Sequence, residues 1–374
     1  MQEDPIVTIS IINYNDRKFI FKAIESAVNQ NYPNLDIIIT DNNSTDGTRE
    51  EIEKNIPEWE KKRGNKIKYI KNTENTGFGR PHNQAFRIAK GDFVLLLNSD
   101  AILTSDYIEK VLKPFEDEKV GAVQGKLLRY DFDKDELYKS KEAPELNVID
   151  TTGLMMLKNR RIVCIGQGEA DRGQFEKEKE VFGADGAVPV YRKSALEDVK
   201  MRITSKPLSG SQSHLEADAE NGDEHIYEYF DENFFLYKED VDLAWRLRLY
   251  GWKTIYIPEA VAYHGRGSGD SMAKNYIDII KERRKINIRA KYLSFKHQRL
   301  MQIKNDFPSL LFIKHFLQFI IKELGAWAYM IIFERFLFRT LKDLYRDIPV
   351  FLKKRKTVMA KKRVGAKEME KWFE

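Results

Sequence analysis

The chain has a single cysteine, Cys164, among its 374 residues. That excludes an intrachain disulfide framework and any cysteine-rich zinc site, and it fits a reducing compartment. The opening "MQEDPIVTIS" has no basic region followed by an apolar stretch, so no secretory signal is expected and the protein is expected on the cytosolic side. No G-x-G-x-x-G follows the first apolar run and no G-x-x-x-x-G-K-[ST] occurs anywhere, which removes the usual glycine-rich phosphate cradles. No uncharged stretch reaches the ~18–20 residues that a bilayer span requires, and no internal repeat is evident. With 42% hydrophobic residues, the chain can bury one large core or two modest ones.

The net charge of +5 is mild, but the charges are unevenly spread. Between Lys353 and Lys367, "KKRKTVMAKKRVGAK" carries eight Lys or Arg and no acid, whereas Leu215 to Glu232 is rich in Asp and Glu. The basic run suits a solvated helix face, an anionic lipid surface or nucleic acid.

Over the first 130 or so residues, short apolar runs alternate with helical patterns, which predicts parallel strands joined by crossover helices. "IVTISII", "LDIIIT", "KIKYI" and "FVLLL" read as strands. "DRKFIFKAIESAVNQ" and "RPHNQAFRIAKG" read as helices, the second closed by Gly91. The strands end in polar residues: Asn13-Tyr14-Asn15, Asp41-Asn42-Asn43-Ser44 and Asn98-Ser99-Asp100. In such sheets ligands gather at the carboxyl ends of strands; singly, each of these residues also suits a cap or a turn. Farther on, "RRIVCIG" and "GAVPVYR" read as strands and "KEDVDLAWRLRLYGW" as a helix, with Trp245 in its core face. "KTIYI" reads as a closing strand that stops at Pro258. A flexible acidic loop is expected at about 201–228.

Without a glycine-rich cradle, a bound phosphate needs another counter-charge. A hard divalent cation, Mg²⁺ or Mn²⁺, is the candidate, with Asp100 as one ligand and His264 as a second if the fold carries it across.

Seven stretches together resemble family 2 glycosyltransferases of the GT-A fold: "IINYN", "ITDNNSTDGT", "ENTGFGRPHNQAF", "GDFVLLLNSDA", "FGADGAVPVYRKSALEDV", "FFLYKEDVDLAWRLRLYGW" and "IPEAVAYHGRGS". Within that family the chain looks most like the bacterial rhamnosyltransferase-type branch of O-antigen and related cell-surface glycan synthesis. The likeness covers residues 6–270 and continues more loosely beyond. It implies an α/β architecture, a mixed and mostly parallel sheet flanked by helices, with a C-terminal helical extension. A catalytic domain over 1–270 would comprise a nucleotide-sugar half (about 1–130) and an acceptor half (about 131–270), followed by a helical, basic, membrane-associating region over 271–374.

The resemblance also implies roles. Asn13, Tyr14, Asn15, Asp41 and Asn43 would line the base and ribose pocket. Asn75, Gly77 and Asn83 would stand near the base and diphosphate. "NSD" stands where many relatives carry D-x-D, so Asp100 is implied as the metal ligand with His264 as the second, while Asn98 and Ser99 face the donor. Asn98 in place of an Asp removes one charge. Asp240 is implied as general base and Glu239 as its substrate-contacting neighbour, although acids at a helix start are also favourable in themselves. Asp185, Gly186 and Arg246 would meet sugar or phosphate.

The activity implied is inverting transfer from a nucleoside diphosphate sugar, dTDP-L-rhamnose first and a UDP-hexose or UDP-N-acetylhexosamine next, to a polyprenyl-diphosphate-linked glycan. A catalytically silent carbohydrate-binding or assembly subunit is the reading of a different class. A processive synthase is disfavoured, since Q-x-x-R-W is absent. No nucleic-acid partner is expected, and self-association is open.

The apolar stretch "SLLFIKHFLQFIIKELGAWAYMIIFERFLF" is interrupted by Lys314, Lys322, Glu323, Glu334 and Arg335. It is expected to lie on an anionic membrane at the cytoplasmic side, as a peripheral anchor, or to pack on the catalytic domain as core helices. The polybasic run beside it favours the membrane.

Overall fold

The computed structural model describes residues 4–202, 227–265 and 276–374; most of the expected acidic loop, 203–226, lies outside the described residues. The expected alternation is present as β1 (Val7–Asn13), α1 (Ile20–Val28), β2 (Leu35–Asp41), α2 (Thr48–Arg63), β3 (Lys68–Lys71), α3 (Gly79–Ile88) and β4 (Phe93–Leu97). β1 pairs in parallel with β2 on one side and β4 on the other, and β2 pairs in parallel with β3. The chain therefore runs outward from β1 in one direction and returns to its other flank, leaving a topological switch point between β1 and β4.

Alternation along β1 decides which helix covers which face. Val7, Ile9 and Ile11 pack with Ile24, Ala27 and Val28 of α1. Ser10 points the other way and hydrogen-bonds His82 Nδ1 of α3 at 2.8 Å. Burial lowers the His82 pKa to about 3, so the ring is neutral.

The sheet continues through β5 (Ala101–Leu103), β6 (Val120–Asp131), β7 (Ile149–Thr151) and β8 (Pro189–Arg192), then α4 (Lys193–Val199), α5 (Glu239–Leu249) and β9 (Lys253–His264). β8 runs antiparallel between β4 and β6, and β9 lies parallel to β6. The sheet is thus mixed, and parallel over β1 to β4, as expected.

Two local expectations are corrected. α3 ends at Ile88, with Ala89 already extended, so Gly91 does not close it. The closing strand does not stop at Pro258. It runs to His264, with residues 258–260 bulged out between the pairs Ile257↔Gly125 and Val261↔Lys126. Proline has no N–H to give a ladder, and a bulge accommodates it without ending the strand.

After residue 276 the chain is helical: α6 (Tyr276–Lys285), α7 (Ile288–Asn305), α8 (Phe316–Phe333) and α9 (Phe338–Lys361). Of these helices, α7 and α9 share a core with the preceding domain. Leu300, Met301, Phe351, Val358, Met369 and Phe373 lie in one buried cluster with Phe230, Phe234 and Trp245. Trp245 is fully buried, as expected of a core residue.

Charge joins the same parts. Lys304 of α7, fully buried, donates to Asp231 at 2.6 Å and to Asp242 of α5 at 2.8 Å. Lys354 of α9 donates to Glu228 at 2.6 Å and to Asp231. Within the basic run, then, Lys354 is spent inside the molecule. Burial opposes the charge on Asp231, yet Lys304 and Lys354 hold its carboxyl well below the usual range.

Breaking a buried ion pair by removing one partner costs about 3–5 kcal/mol, because the other charge stays buried. Lys304→Met is expected to lower stability by about that amount, read as a lowered urea midpoint at unchanged slope.

Candidate active site

At the switch point lies a cavity of about 330 Å³. Its wall takes Ile12, Tyr14 and Asp16 from the end of β1, Asn42 from the end of β2, and Asn98, Ser99 and Asp100 from the end of β4. Asn75, Gly77, Phe78, Phe235 and Leu236 complete it. Of the residues singled out from the sequence, Tyr14, Asn75, Gly77, Asn98, Ser99 and Asp100 are on this wall. Tyr14 is 43% exposed.

Others stand behind it. Asn13 is fully buried, donating to Asp41 at 2.9 Å and Ser44 at 2.8 Å. Asp41 accepts from the backbone N–H groups of Asn43 and Ser44 and from Arg49 Nε at 2.8 Å. Burial raises its pKa, but these donors outweigh that and hold it low. Asn15 and Asn43 take left-handed backbone at φ 56° and 71°, where asparagine is tolerated, and make the two turns. The neighbour Asn42 is the residue that meets the cavity, tied to Asn75 Oδ1 at 3.0 Å and Gly77 O at 2.9 Å.

Nor do Asn83 and Arg246 reach the cavity. Asn83 is buried, and its amide clamps the backbone of Tyr229 and Phe230 and the Glu232 carboxylate. Arg246, expected to meet sugar or phosphate, is fully buried and donates to Asp242, Val199 O and Tyr229 O. Its position one helical turn after Asp242 on α5 turns it into the core, where the i,i+4 ion pair holds it.

Gly77 shows why the wall closes. Its φ is +84°, and a Cβ there would sit 2.0 Å from Phe235 O. Only glycine lets the 235–236 segment approach so closely. The Phe78 N–H donates to Phe235 O at 2.9 Å beside it.

Asp100 and His264 meet because β9 passes the Pro258 bulge and pairs antiparallel with β5, setting His264 opposite Ala101. His264 Nε2 lies 3.3 Å from Asp100 Oδ1, and its Nδ1 lies 2.8 Å from Asp150 Oδ2 on β7. Burial works against charge on this ring, but the two carboxylates overcome it and raise its pKa to about 10. Asp100 is in turn held below the usual range: burial raises it, and the His264 charge outweighs burial.

The 3.3 Å separation is near the ~3 Å edge between adjacent ligands of an octahedral ion at ~2.1 Å. A histidine whose second nitrogen is fixed by a carboxylate is the usual arrangement behind a metal ligand. Among the described residues no set of three or more His, Cys, Asp or Glu gathers to hold a metal. The chain therefore offers two donors, Asp100 and, with its ring neutral, His264, and the pair fits a divalent cation.

A second group of acids lies at the start of α5. Asp240 is half-buried against Gly186, where a Cβ would stand 3.2 Å from the Asp240 Cβ. Asp185 turns its carboxylate to the Ala187 N–H at 3.1 Å and the Cys164 thiol at 3.4 Å. Ala187 O accepts from the Asn98 N–H at 3.0 Å, which joins this group to the strand end carrying Asp100. Burial, then the charge on Asp185, raises the Asp240 pKa; Lys238 works the other way. Glu239 is 5% exposed, and its Oε2 has no hydrogen-bond partner among the described residues. Burial first, then Asp240, pushes it well above the usual carboxylate range.

Ile12, Asp16, Asn42, Phe78, Asp150, Phe235 and Leu236 are the site residues that sequence reasoning missed. Asn42 and Asp16 stood beside residues already singled out, within polar strand ends. Asp150 is 114 residues from the His264 that it orients, so no local spacing could reveal it.

The chain belongs to glycosyl transferase family 2: the family's model matches residues 8–200. Its α/β sheet and strand-end crevice are those of the GT-A fold. Over 115 residues it is 36% identical to the UDP-Glc:alpha-D-GlcNAc-diphosphoundecaprenol beta-1,3-glucosyltransferase WfaP of Escherichia coli, covering 31% of this chain and 43% of that one. Over 111 residues it is 32% identical to the chondroitin synthase of E. coli, covering 30% and 15%. The chain thus spans less than half the length of these relatives. Among solved structures, the mannosyltransferase PcManGT of Pyrobaculum calidifontis is 16% identical, with a TM-score of 0.49 over 96% of this chain and 86% of that one.

Glu239 yields a test by linkage. Its folded pKa lies above the usual 4.5, so the folded state binds more protons than the unfolded one between those values. Stability is then lost as pH rises through that window. Glu239→Gln needs no proton and should be the more stable form there, its advantage in Tm growing from about pH 5 upward until the wild-type carboxyl is ionised. Melting curves across that range check the sign; a constant or shrinking advantage contradicts it.

Proposed function

We propose that the protein transfers a sugar, with inversion, from a nucleoside diphosphate sugar to a hydroxyl of a polyprenyl-diphosphate-linked glycan at the cytoplasmic side of a membrane. The observation that carries this reading is a pair of electrostatically opposite stations, one on the crevice wall and one joined to it through the backbone hydrogen bond from Asn98 to Ala187. At one, His264 holds Asp100 ionised; at the other, burial and Asp185 raise the Asp240 carboxyl. Tyr14, Asn75, Asn98 and Ser99 offer a ring, two amides and a hydroxyl, groups suited to a base and a ribose.

For the reaction, the acceptor oxygen attacks the anomeric carbon as the bond to the diphosphate breaks, and the diphosphate leaves with the electron pair. The acceptor proton goes to a carboxylate. Asp240 suits this better than Glu239, because it is less buried and lies against Gly186, where the backbone leaves room for a substrate. A divalent cation, Mg²⁺ or Mn²⁺, would displace the Nε2 proton of His264, be held by the neutral ring and by Asp100, and supply positive charge to the departing diphosphate. Asp150 keeps the His264 ring turned toward Asp100.

The donor rests on likeness. dTDP-L-rhamnose follows from the motif resemblance. A UDP-hexose is the second choice, favoured by the E. coli relative whose name specifies UDP-glucose and a diphosphoundecaprenol-linked acceptor.

The test is hydrolysis of a nucleotide-sugar panel with Mg²⁺, Mn²⁺ or EDTA. One donor is expected to turn over slowly, with loss in EDTA and in Asp100→Ala. With acceptor present, Asp240→Asn should lower kcat by about 10²–10⁴-fold with little change in donor KM. Turnover untouched by EDTA and by Asp100→Ala would remove the metal. If no donor binds in thermal-shift measurements either, the transferase reading falls.

A further inference from the structure

α8 is inside out. Of its 18 residues only Glu323 and Met330 are buried. Its charges face the protein: Glu323 accepts from Arg299 of α7 at 2.5 Å and from Lys322. Its hydrophobes face outward. Leu317, Ile321, Leu324 and Ile332 are 65%, 50%, 62% and 61% exposed, and Ile313, just before the helix, is 77% exposed. These positions recur at helical spacing on one face. A continuous apolar stripe of this kind marks an interaction surface.

We infer that this stripe lies flat in the surface of an anionic phospholipid bilayer. Charge decides for lipid over a second copy of the chain. At the stripe's carboxyl end, Arg335, Arg339 and Lys342 are exposed and make no ion pair among the described residues. A second copy docked through the same stripe would bring only apolar residues of that stripe and no carboxylate to answer these cations, whereas anionic headgroups neutralise them.

By length and composition alone α8 could cross a membrane, but its inner side is docked. Trp327 packs edge-on against Phe295 of α7 with ring centres 5.7 Å apart, and Arg299 lies over the Phe295 ring at 3.6 Å. Crossing would draw α7, with Lys296, Arg299 and Lys304, into hydrocarbon. An in-plane helix buries the stripe and leaves those charges outside.

α7 also grips the crevice. His297 lies 2.9 Å from Leu236 O and 3.1 Å from Tyr237 O, and Arg289 lies over Phe235 at 4.8 Å. The crevice wall is thus one helix away from the lipid-facing stripe. Given the reading above, this arrangement holds the crevice at the surface from which a lipid-linked acceptor is presented.

Co-sedimentation of the whole protein with vesicles tests the inference and needs no donor, so its outcome is independent of the sugar chemistry. Wild type should pellet with vesicles of phosphatidylglycerol and phosphatidylcholine, and less with phosphatidylcholine alone. Leu317→Ser, Ile321→Ser, Leu324→Ser and Ile332→Ser combined should weaken that binding at least about tenfold with circular dichroism and donor hydrolysis unchanged. Arg335→Glu, Arg339→Glu and Lys342→Glu combined should erase the preference for anionic vesicles. A carbonate wash should release the bound protein. Undiminished pelleting of the serine variant, no pelleting of wild type, resistance to carbonate, or a wild-type dimer that the serine substitutions dissociate would each overturn it.

Discussion

Lys304 is the group on which the site wall depends. A lysine with no exposed surface needs its charge answered, and Asp231 and Asp242 answer it from two sides of the same chain segment. That segment, 229–242, supplies Phe235 and Leu236 to the crevice and Glu239 and Asp240 to the acid group. Asn83 grips it from the sheet side through Tyr229 and Phe230, and His297 lies against its carbonyls from α7. Between these holds, Tyr237 and Lys238 adopt left-handed backbone at φ 69° and 80°, which costs ordinary residues on the order of 1–2 kcal/mol each. Such a turn persists where its surroundings over-determine it.

The two acidic stations follow opposite electrostatic logic. Asp100 and Asp150 bracket one histidine, so attraction outweighs the cost of burying charge and the carboxyl of Asp100 stays low. Asp185, Glu239 and Asp240 crowd together with Lys238 as the neighbouring cation, so burial and like charge push protons on. Titratable groups whose surroundings drive their pKa values apart are a hallmark of acid–base sites.

The family match ends at residue 200, yet Asp240, His264 and the outward-facing apolar helix α8 all come later. The shared part supplies the parallel strands β1 to β4 and the strand-end crevice. The later part closes the wall through α5, β9 and α7, and its helices cannot be detached without exposing the core they share with Trp245 and Phe230.

Much of this was legible in the chain itself. β1 to β4 were readable because strands covered on both faces are continuous apolar runs, and their polar ends marked the crevice rim. The motif stretches pointed to the family. Local pattern could not tell which polar residue of a strand end faces the cavity. Asp41 and Asn42 are adjacent, but one is spent on its own turn and the other meets the crevice, because successive side chains on an extended chain point opposite ways. Nor could it carry β9 past Pro258, turn Arg246 inward, or bring Asp150 to His264, since those outcomes depend on pairings and ion contacts between distant segments. Hydrophobicity marked α8 as unusual. Only its docking on α7 decided that the charged side faces the protein and the apolar side faces out.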